Sequence, residues 1–212
     1  MIRKNTTRVA ALGAAALIGA TALISAPAAS AANDGTASLA TVLNVGKAKF
    51  DSNDKDFDVL TKAIEAVLAN KPNSAVKVLA DGNTAVTAFI PTDRAFKNLA
   101  SVLSNKKVNT EAGAFKVVAG LGIDTVESVL LYHVVPGATI MSGDALKANG
   151  AKLKTALADK VIRVRVTSAP AIILGDYNPK LANPRVNLDQ VDINKGNKQV
   201  AHGINAVLLP TK

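Results

Sequence analysis

Apolar residues recur at helical spacing in the first half of the chain. The clearest stripe covers residues 56–70, whose apolar positions lie three or four residues apart and would form one buried face: Phe57, Leu60, Ile64, Val67 and Leu68. Pro72 ends this helix, because proline disfavours helical backbone at the residue before it. Similar patterns predict three further helices: a short one within residues 36–49, one that begins at Thr92 or Asp93, and one over residues 110–119.

Short β-type runs dominate the second half of the chain, where Gly, Pro, Asn and Asp separate them. Four such runs are predicted strands: residues 151–157, 161–166, 186–188 and 204–209. Earlier in the chain, residues 76–80 and 85–90 flank the turn Asp81-Gly82-Asn83 and are predicted to pair as a hairpin. Asp124, with Glu127 three residues later, predicts a capping box at the start of another helix. Helices first and strands later predict a single α+β domain.

Residues 1–31 have the features of a secretory signal peptide. Arg3, Lys4 and Arg8 precede an apolar stretch, and Ala29-Ser30-Ala31 supplies small residues for cleavage. The alternative is a retained membrane helix, but the apolar stretch of about sixteen residues is shorter than a span of roughly twenty. No second stretch of that length follows, so the mature chain is expected to be secreted and to lack a membrane span. The predicted division is a signal peptide over residues 1–31, a tail and short helix over 32–50, and one domain over 51–212.

The composition narrows the classes of protein to which the chain can belong. It has no cysteine, so its stability cannot depend on disulfide bonds, and with 3% aromatic residues its core must be aliphatic. The formal charge is +9, from 25 basic and 16 acidic residues, and without the three basic residues before the apolar stretch the balance is 22 against 16, or about +6. This charge favours acidic polysaccharides or cell-wall polymers as partners. Nucleic acid is not an expected partner, because no basic segment is interleaved with aromatic residues.

Three segments carry the recognisable motifs of the chain. They are residues 87–96 (TAFIPTDRAF), 131–137 (LYHVVPG) and 201–210 (AHGINAVLLP). Together and in this order they resemble the signature segments of the fasciclin domain, an extracellular interaction module, over roughly residues 56–210. The resemblance implies a β-wedge or sandwich with several packed α-helices, and non-catalytic adhesion or molecular recognition at a cell surface. Gly203 and Asn205 depart from the family pattern, where a β-branched residue and an aspartate are usual.

We interpret the polar residues of these motifs as structural. The residues concerned are Thr92, Asp93, Tyr132, His133, His202 and Asn205. Thr92 or Asp93 would cap the helix that follows Pro91. His133 would lie in an apolar strand with its ring bonded to backbone or a hydroxyl, and Gly203 would weaken the packing of the closing strand.

A catalytic alternative makes His133 or His202 the general base of a hydrolase. No Gly-x-Ser-x-Gly nucleophile elbow and no glycine-rich phosphate loop accompanies them. We therefore expect no enzyme activity, no catalytic residue and no cofactor.

Metal binding is also not expected. Residues 51–56 (DSNDKD) suggest a calcium loop, but Lys55 stands at its fifth position, Asp56 replaces the required glycine, and Lys62 replaces the final glutamate. These carboxylates are instead expected to cap the next helix. A zinc site would need two carboxylates, because the chain has two histidines and no cysteine.

Four basic residues alternate along two predicted strands: Lys152, Lys154, Arg163 and Arg165. If the two strands pair in a suitable register, all four side chains share one face, whereas a slip of one residue separates the two pairs. The face would be either a polyanion-binding site or the solvated side of a hairpin.

The sequence thus predicts a secreted, monomeric, non-catalytic recognition module of a bacterial cell wall or matrix. Its partner would be a surface protein or a polysaccharide. The alternatives are an electrostatic polyanion-binding protein acting through the four basic residues, and a hydrolase.

Overall fold

The computed structural model describes residues 35–169, 171–176, 178–179 and 181–210, and the predicted signal peptide lies outside them. The helices are α1 (Leu39–Val42), α2 (Asp58–Asn70), α3 (Asp93–Ser104), α4 (Glu111–Ala119), α5 (Ile123–Tyr132) and α6 (Ser142–Ala145). The strands are β1 (Val86–Pro91), β2 (Val134–Pro136), β3 (Lys152–Lys154), β4 (Val161–Val166), β5 (Ile172–Gly175) and β6 (Gln199–Ile204). Two short 3-10 helices span Ala75–Ala80 and Leu188–Gln190.

The strands form two sheets of three strands each. In the first, β1 lies between an antiparallel β2 and a parallel β6, and in the second, β4 lies between antiparallel β3 and β5. Residues 185 and 186 connect the sheets, because Arg185 bridges to Ile173 of β5 and Val186 bridges to Ile204 of β6. The predicted α+β class, with helices packed on a wedge of two sheets, is confirmed.

Two apolar clusters hold the layers together. The first lies between the helices and the β2-β1-β6 sheet and includes Leu39, Leu60, Ile64, Ala88 and Ile90. The second lies between the two sheets and includes Phe89, Ile162, Val164, Leu174 and Leu208. β1 and β6 are buried along their whole length, whereas β4 alternates between buried and exposed residues. The β2-β1-β6 sheet is therefore the middle layer, and one face of the β3-β4-β5 sheet faces solvent.

The predicted hairpin before β1 is wrong in its first strand. Residues 75–80 form a 3-10 helix that begins after Ser74, whose hydroxyl accepts the Val76 N–H. Val76 and Leu79, three residues apart, are its buried positions, and this spacing matches one 3-10 turn better than the alternation of a strand.

The closing strand lies earlier than predicted. β6 ends at Ile204, whereas the predicted strand begins there, and residues 207 and 208 are buried outside any strand. Gly203 does not weaken this strand in the expected way. A Cβ at this position would lie 2.8 Å from the Cβ of Gln190, so glycine is what lets the Leu188–Gln190 turn approach β6.

The predicted capping box of α5 is also wrong. The helix begins after Gly122, at φ 88°, and receives no side-chain cap. Asp124 and Glu127 instead form ion pairs with Lys71, which follows the last residue of α2. Their charges therefore connect two helices.

Candidate functional site

The joint between β1 and α3 caps two helices with two adjacent side chains. The Thr92 hydroxyl accepts the Ala95 N–H at 3.4 Å and caps α3. The Asp93 carboxylate accepts the N–H groups of Asp58 and Val59, at 3.0 and 2.8 Å, and so caps α2. The prediction that the carboxylates of residues 51–56 cap α2 is therefore wrong, because a residue thirty-five positions away takes that role.

The first turns of α2, α3 and α4 meet at a cluster of carboxylates. Side-chain oxygens of Asp56, Asp93 and Glu111 all lie within 4.8 Å of one another, and we name these three residues the acidic junction. Asp93 is 0% exposed and Glu111 is 1% exposed. Burial, together with the neighbouring Asp56, raises the pKa of Asp93 to about 8, and burial also raises the pKa of Glu111. No local pattern indicated this cluster beyond Asp93, because its members come from three separate segments.

His133 stands at the C-terminal cap of α5 and not in a strand as predicted. Its Nε2 accepts the Leu208 N–H at 3.0 Å, which places the ring proton on Nδ1, where it is donated to the Val129 carbonyl at 2.7 Å. Burial lowers the pKa of His133 to about 4. The neutral ring thus bonds one of the last carbonyls of a helix and anchors the C-terminal segment, and both nitrogens are occupied.

Tyr132 joins the helical layer to the second sheet. Its ring is 1% exposed, and its hydroxyl donates to the Val161 carbonyl at 2.9 Å, with the Asp176 carbonyl at 3.3 Å. The hydroxyl of this otherwise apolar side chain is therefore satisfied by backbone carbonyl groups at the start of β4 and just after β5.

His202 is buried in β6 and bonds two loops. Its Nδ1 accepts the Asp192 N–H at 3.2 Å, and its Nε2 donates to the Ile140 carbonyl at 2.8 Å. Burial lowers the pKa of this ring as well, which keeps it neutral. Asn205, just after β6, accepts the Arg185 N–H at 2.8 Å. The two histidines therefore bond to different backbone segments, and the ring nitrogens of both have partners.

An apolar cavity of about 340 Å³ lies beside His133, between α2, α3, α5 and the C-terminal segment. Its lining includes Leu60, Phe96, Leu99 and Val126, and its polar members among the described residues are Thr125, Ser128, His133 and Asn178. No carboxylate belongs to that described lining. A general acid–base pair of histidine and carboxylate is therefore not assembled there.

The four predicted basic residues share one face of the second sheet. β3 and β4 pair with Lys152 opposite Arg163 and Leu153 opposite Ile162, and the apolar partners of this register are buried while the basic ones are exposed. The register is thus the one that brings all four cations to the same side.

A fifth cation, which the alternation of the two strands did not reveal, extends this face. Arg165 lies opposite Ile173, and Ile173 in turn pairs with Arg185, so Arg185 points to the same side and is exposed. We name Lys152, Lys154, Arg163, Arg165 and Arg185 the basic face. The other outward strand positions of this sheet are Val161, Ile173 and Gly175, and none of them carries a carboxylate. The sequence did not indicate the position of Arg185, because this arginine directly follows a proline and is not part of an alternating pattern.

Comparison with known proteins connects these observations to a family. The family model of the fasciclin domain matches residues 56–210. A solved structure described as "Novel Fold Revealed by the Structure of a FAS1 Domain Pair from the Insect Cell Adhesion Molecule Fasciclin I" is similar at 17% identity and a TM-score of 0.49. The match covers 70% of this chain and 46% of that chain, so this chain spans about half the length of the structure it matches. No curated protein matches significantly. Within the described residues, every helix is too short or too polar to cross a membrane.

Proposed function

Because the chain belongs to the fasciclin domain family, whose members are typically adhesion or recognition modules, we propose that it acts outside the cell as a non-catalytic recognition module. In this proposal the polar residues of the three motifs hold the fold together, and the exposed surface contacts a surface protein or polysaccharide. The predicted signal peptide supports secretion.

The observation that carries the proposal is the burial and hydrogen bonding of the two histidine rings. Both rings are buried, both are kept neutral by burial, and each ring nitrogen has a backbone partner. A general base needs a nitrogen that can reach a substrate proton. These nitrogens instead join α5 to the C-terminal segment and β6 to two loops.

Sedimentation with the producer's envelope fraction tests this proposal. The purified mature chain should bind in a saturable manner, and a folded His133→Gln variant should bind equally well. Glutamine at this position keeps an acceptor for the Leu208 N–H. Absence of saturable binding, or a hydrolytic activity that disappears in a folded His133→Gln variant, would contradict the proposal.

A second candidate function is electrostatic binding of an acidic glycan through the basic face. The observation that favours it is the register of β3 and β4, together with the addition of Arg185 to the same side. Five cations on one sheet face, without a carboxylate at its outward strand positions, create a positive potential that attracts polyanions over long range.

A matched pair of charge reversals tests this second function. Lys154→Glu with Arg165→Glu should weaken binding to heparin, used as an acidic glycan, by about tenfold or more. Lys106→Glu with Lys107→Glu, two exposed positions after α3, changes the net charge equally and should leave the affinity nearly unchanged. Binding to the unmodified chain should vanish by about 0.5 M salt, where screening is short-ranged. Equal losses in both variants, or salt-insensitive binding, would exclude the basic face as the site.

A further inference from the structure

Two buried carboxylate oxygens in the acidic junction have no hydrogen-bond partner among the described residues. Glu111 is 1% exposed; its Oε2 accepts the Asp51 N–H at 2.6 Å, but its Oε1 has no partner within the described parts of the chain. Asp56 Oδ2 accepts from the Asn53 side-chain amide at 3.1 Å, but the buried Oδ1 likewise has none there. A buried, unpartnered carboxylate oxygen is costly, so these two oxygens indicate a positively charged or proton-donating group at the junction.

The type of ligand at the acidic junction favours a particular class of ion. One oxygen from each of Asp56, Asp93 and Glu111 lies within 4.8 Å of the others. Ca²⁺ accepts six to eight oxygen ligands in flexible geometry, whereas Mg²⁺ demands near-ideal octahedral geometry and gives up its waters reluctantly, so three carboxylates from separate segments suit Ca²⁺ better. Carboxylate oxygens are also the ligands that hard cations prefer.

We infer that the acidic junction is a Ca²⁺-binding site formed by Asp56, Asp93 and Glu111. The site differs from the calcium loop that the sequence of residues 51–56 suggests, because its ligands come from the loop before α2 and from the first turns of α3 and α4. Its role is to join the N-terminal ends of three helices.

The hydrogen bonds already made by Asp93 are compatible with a bound cation. Each of its carboxylate oxygens accepts one backbone N–H, from Asp58 or Val59, and retains a further lone pair. The same lone pairs could instead hold a proton between Asp93 and Asp56, and these two occupants respond differently to added Ca²⁺.

The surrounding charges also favour a cation. Lys97 and Arg94 are basic groups at this end of α3, and both form ion pairs with Asp54, outside the junction. Asp51 and Asp58 add further negative charge, since their carboxylates form a second group with Asp56 within 4.8 Å. The Lys97 ammonium also acts on Glu111, but the five carboxylates of the two groups outnumber the two basic side chains at this end of α3.

Calorimetric titration of the mature chain with CaCl₂ tests the site, with thermal unfolding followed by circular dichroism because the chain has no tryptophan. Saturating Ca²⁺ should raise the Tm by about 5 to 10 °C, as expected when a ligand binds only the folded state of a domain of this size. MgCl₂ should raise it less. Absence of both binding heat and a Tm shift with Ca²⁺ would overturn the inference.

Two conservative variants and one control locate the binding. Glu111→Gln and Asp56→Asn remove charge with little change of shape and should each weaken Ca²⁺ binding by about tenfold or more. Asp189→Asn removes an exposed carboxylate elsewhere and should leave binding unchanged. Retention of the full Tm shift in both junction variants would place the ion elsewhere. Variants that raise the Tm of the metal-free protein, with no response of the unmodified chain to Ca²⁺, would show that a shared proton occupies the junction.

Discussion

The acidic junction and the basic face place charge in opposite surroundings. The junction buries Asp93 and Glu111, with Asp56 partly buried, where three helices begin. Backbone amides and neighbouring carboxylates determine the properties of these groups. The basic face exposes its cations on a sheet whose other side is apolar, so solvent screens them. Charge is thus packed between helix ends in the first region and exposed to solvent in the second.

Removal of the Asp93 side chain should cost more stability than any other substitution proposed for the two regions. Asp93→Ala leaves the N–H groups of Asp58 and Val59 without their acceptor in a buried place, so we expect a loss of about 3 kcal/mol in the free energy of unfolding. Asp93→Asn keeps one acceptor oxygen at this position, so its effect should be smaller. Urea unfolding measures both. A loss below about 1 kcal/mol for Asp93→Ala would show that the junction does not hold α2 and α3 together.

Acid should weaken the buried part of the molecule through His133. The folded pKa of His133 is about 4, below the 6.5 of a free histidine, so the unfolded chain binds the proton first as the pH falls. The stabilisation present above pH 6.5 is therefore lost progressively down to pH 4, by up to about 3 kcal/mol. His202, whose pKa is also lowered, acts in the same direction.

Urea unfolding at several pH values tests this expectation against His133→Gln. The variant should be less stable than the unmodified chain at pH 7, because the Val129 carbonyl loses its donor, but its stability should fall less steeply between pH 6.5 and 4. Parallel pH profiles for the two proteins would contradict a neutral, buried His133.

Substitution of Gly203, which closely contacts Gln190, should have a smaller effect on stability. Gly203→Ala would place a Cβ 2.8 Å from the Cβ of Gln190, so we expect a loss of about 1 to 3 kcal/mol. Gly143→Ala is the matched control, because a Cβ there meets nothing within 4 Å. Equal stability of the two variants would show that the turn beside β6 moves freely.

The basic face should contribute least to stability. Lys154→Glu with Arg165→Glu should change the free energy of unfolding by less than about 0.5 kcal/mol, since both residues are exposed. Thermal unfolding of this variant beside the unmodified chain provides the measurement. A loss comparable to that of Asp93→Ala would remove the distinction between the two regions.

The sequence predicted those helices and strands whose hydrophobic pattern is contained in one continuous stretch of the chain. The stripe of residues 56–70 indicated α2, and the alternation of residues 161–166 indicated β4 and its basic side, because a single period determines which side chains face the core. The acidic junction could not be predicted in this way. Asp93 caps a helix that begins thirty-five residues earlier, and Glu111 reaches the same point from a third helix.

The place of His133 shows the same limit. The sequence predicts His133 in an apolar strand, but the backbone is helical up to Tyr132 and extended only from Val134. The buried ring at this change of conformation is fixed by partners on α5 and in the C-terminal segment. Sequence could indicate that the ring is bonded to backbone, but only the packed chain identifies the two groups.

Envelope binding by two folded variants tests most directly whether the interior serves architecture and the surface serves recognition. We expect His133→Gln, measured at neutral pH where it is folded, to bind the producer's envelope fraction with the affinity of the unmodified chain. Lys154→Glu with Arg165→Glu, if the basic face is the contact surface, should bind about tenfold more weakly. Loss of binding in the folded His133→Gln variant, with binding retained in the charge-reversed one, would contradict this division of roles.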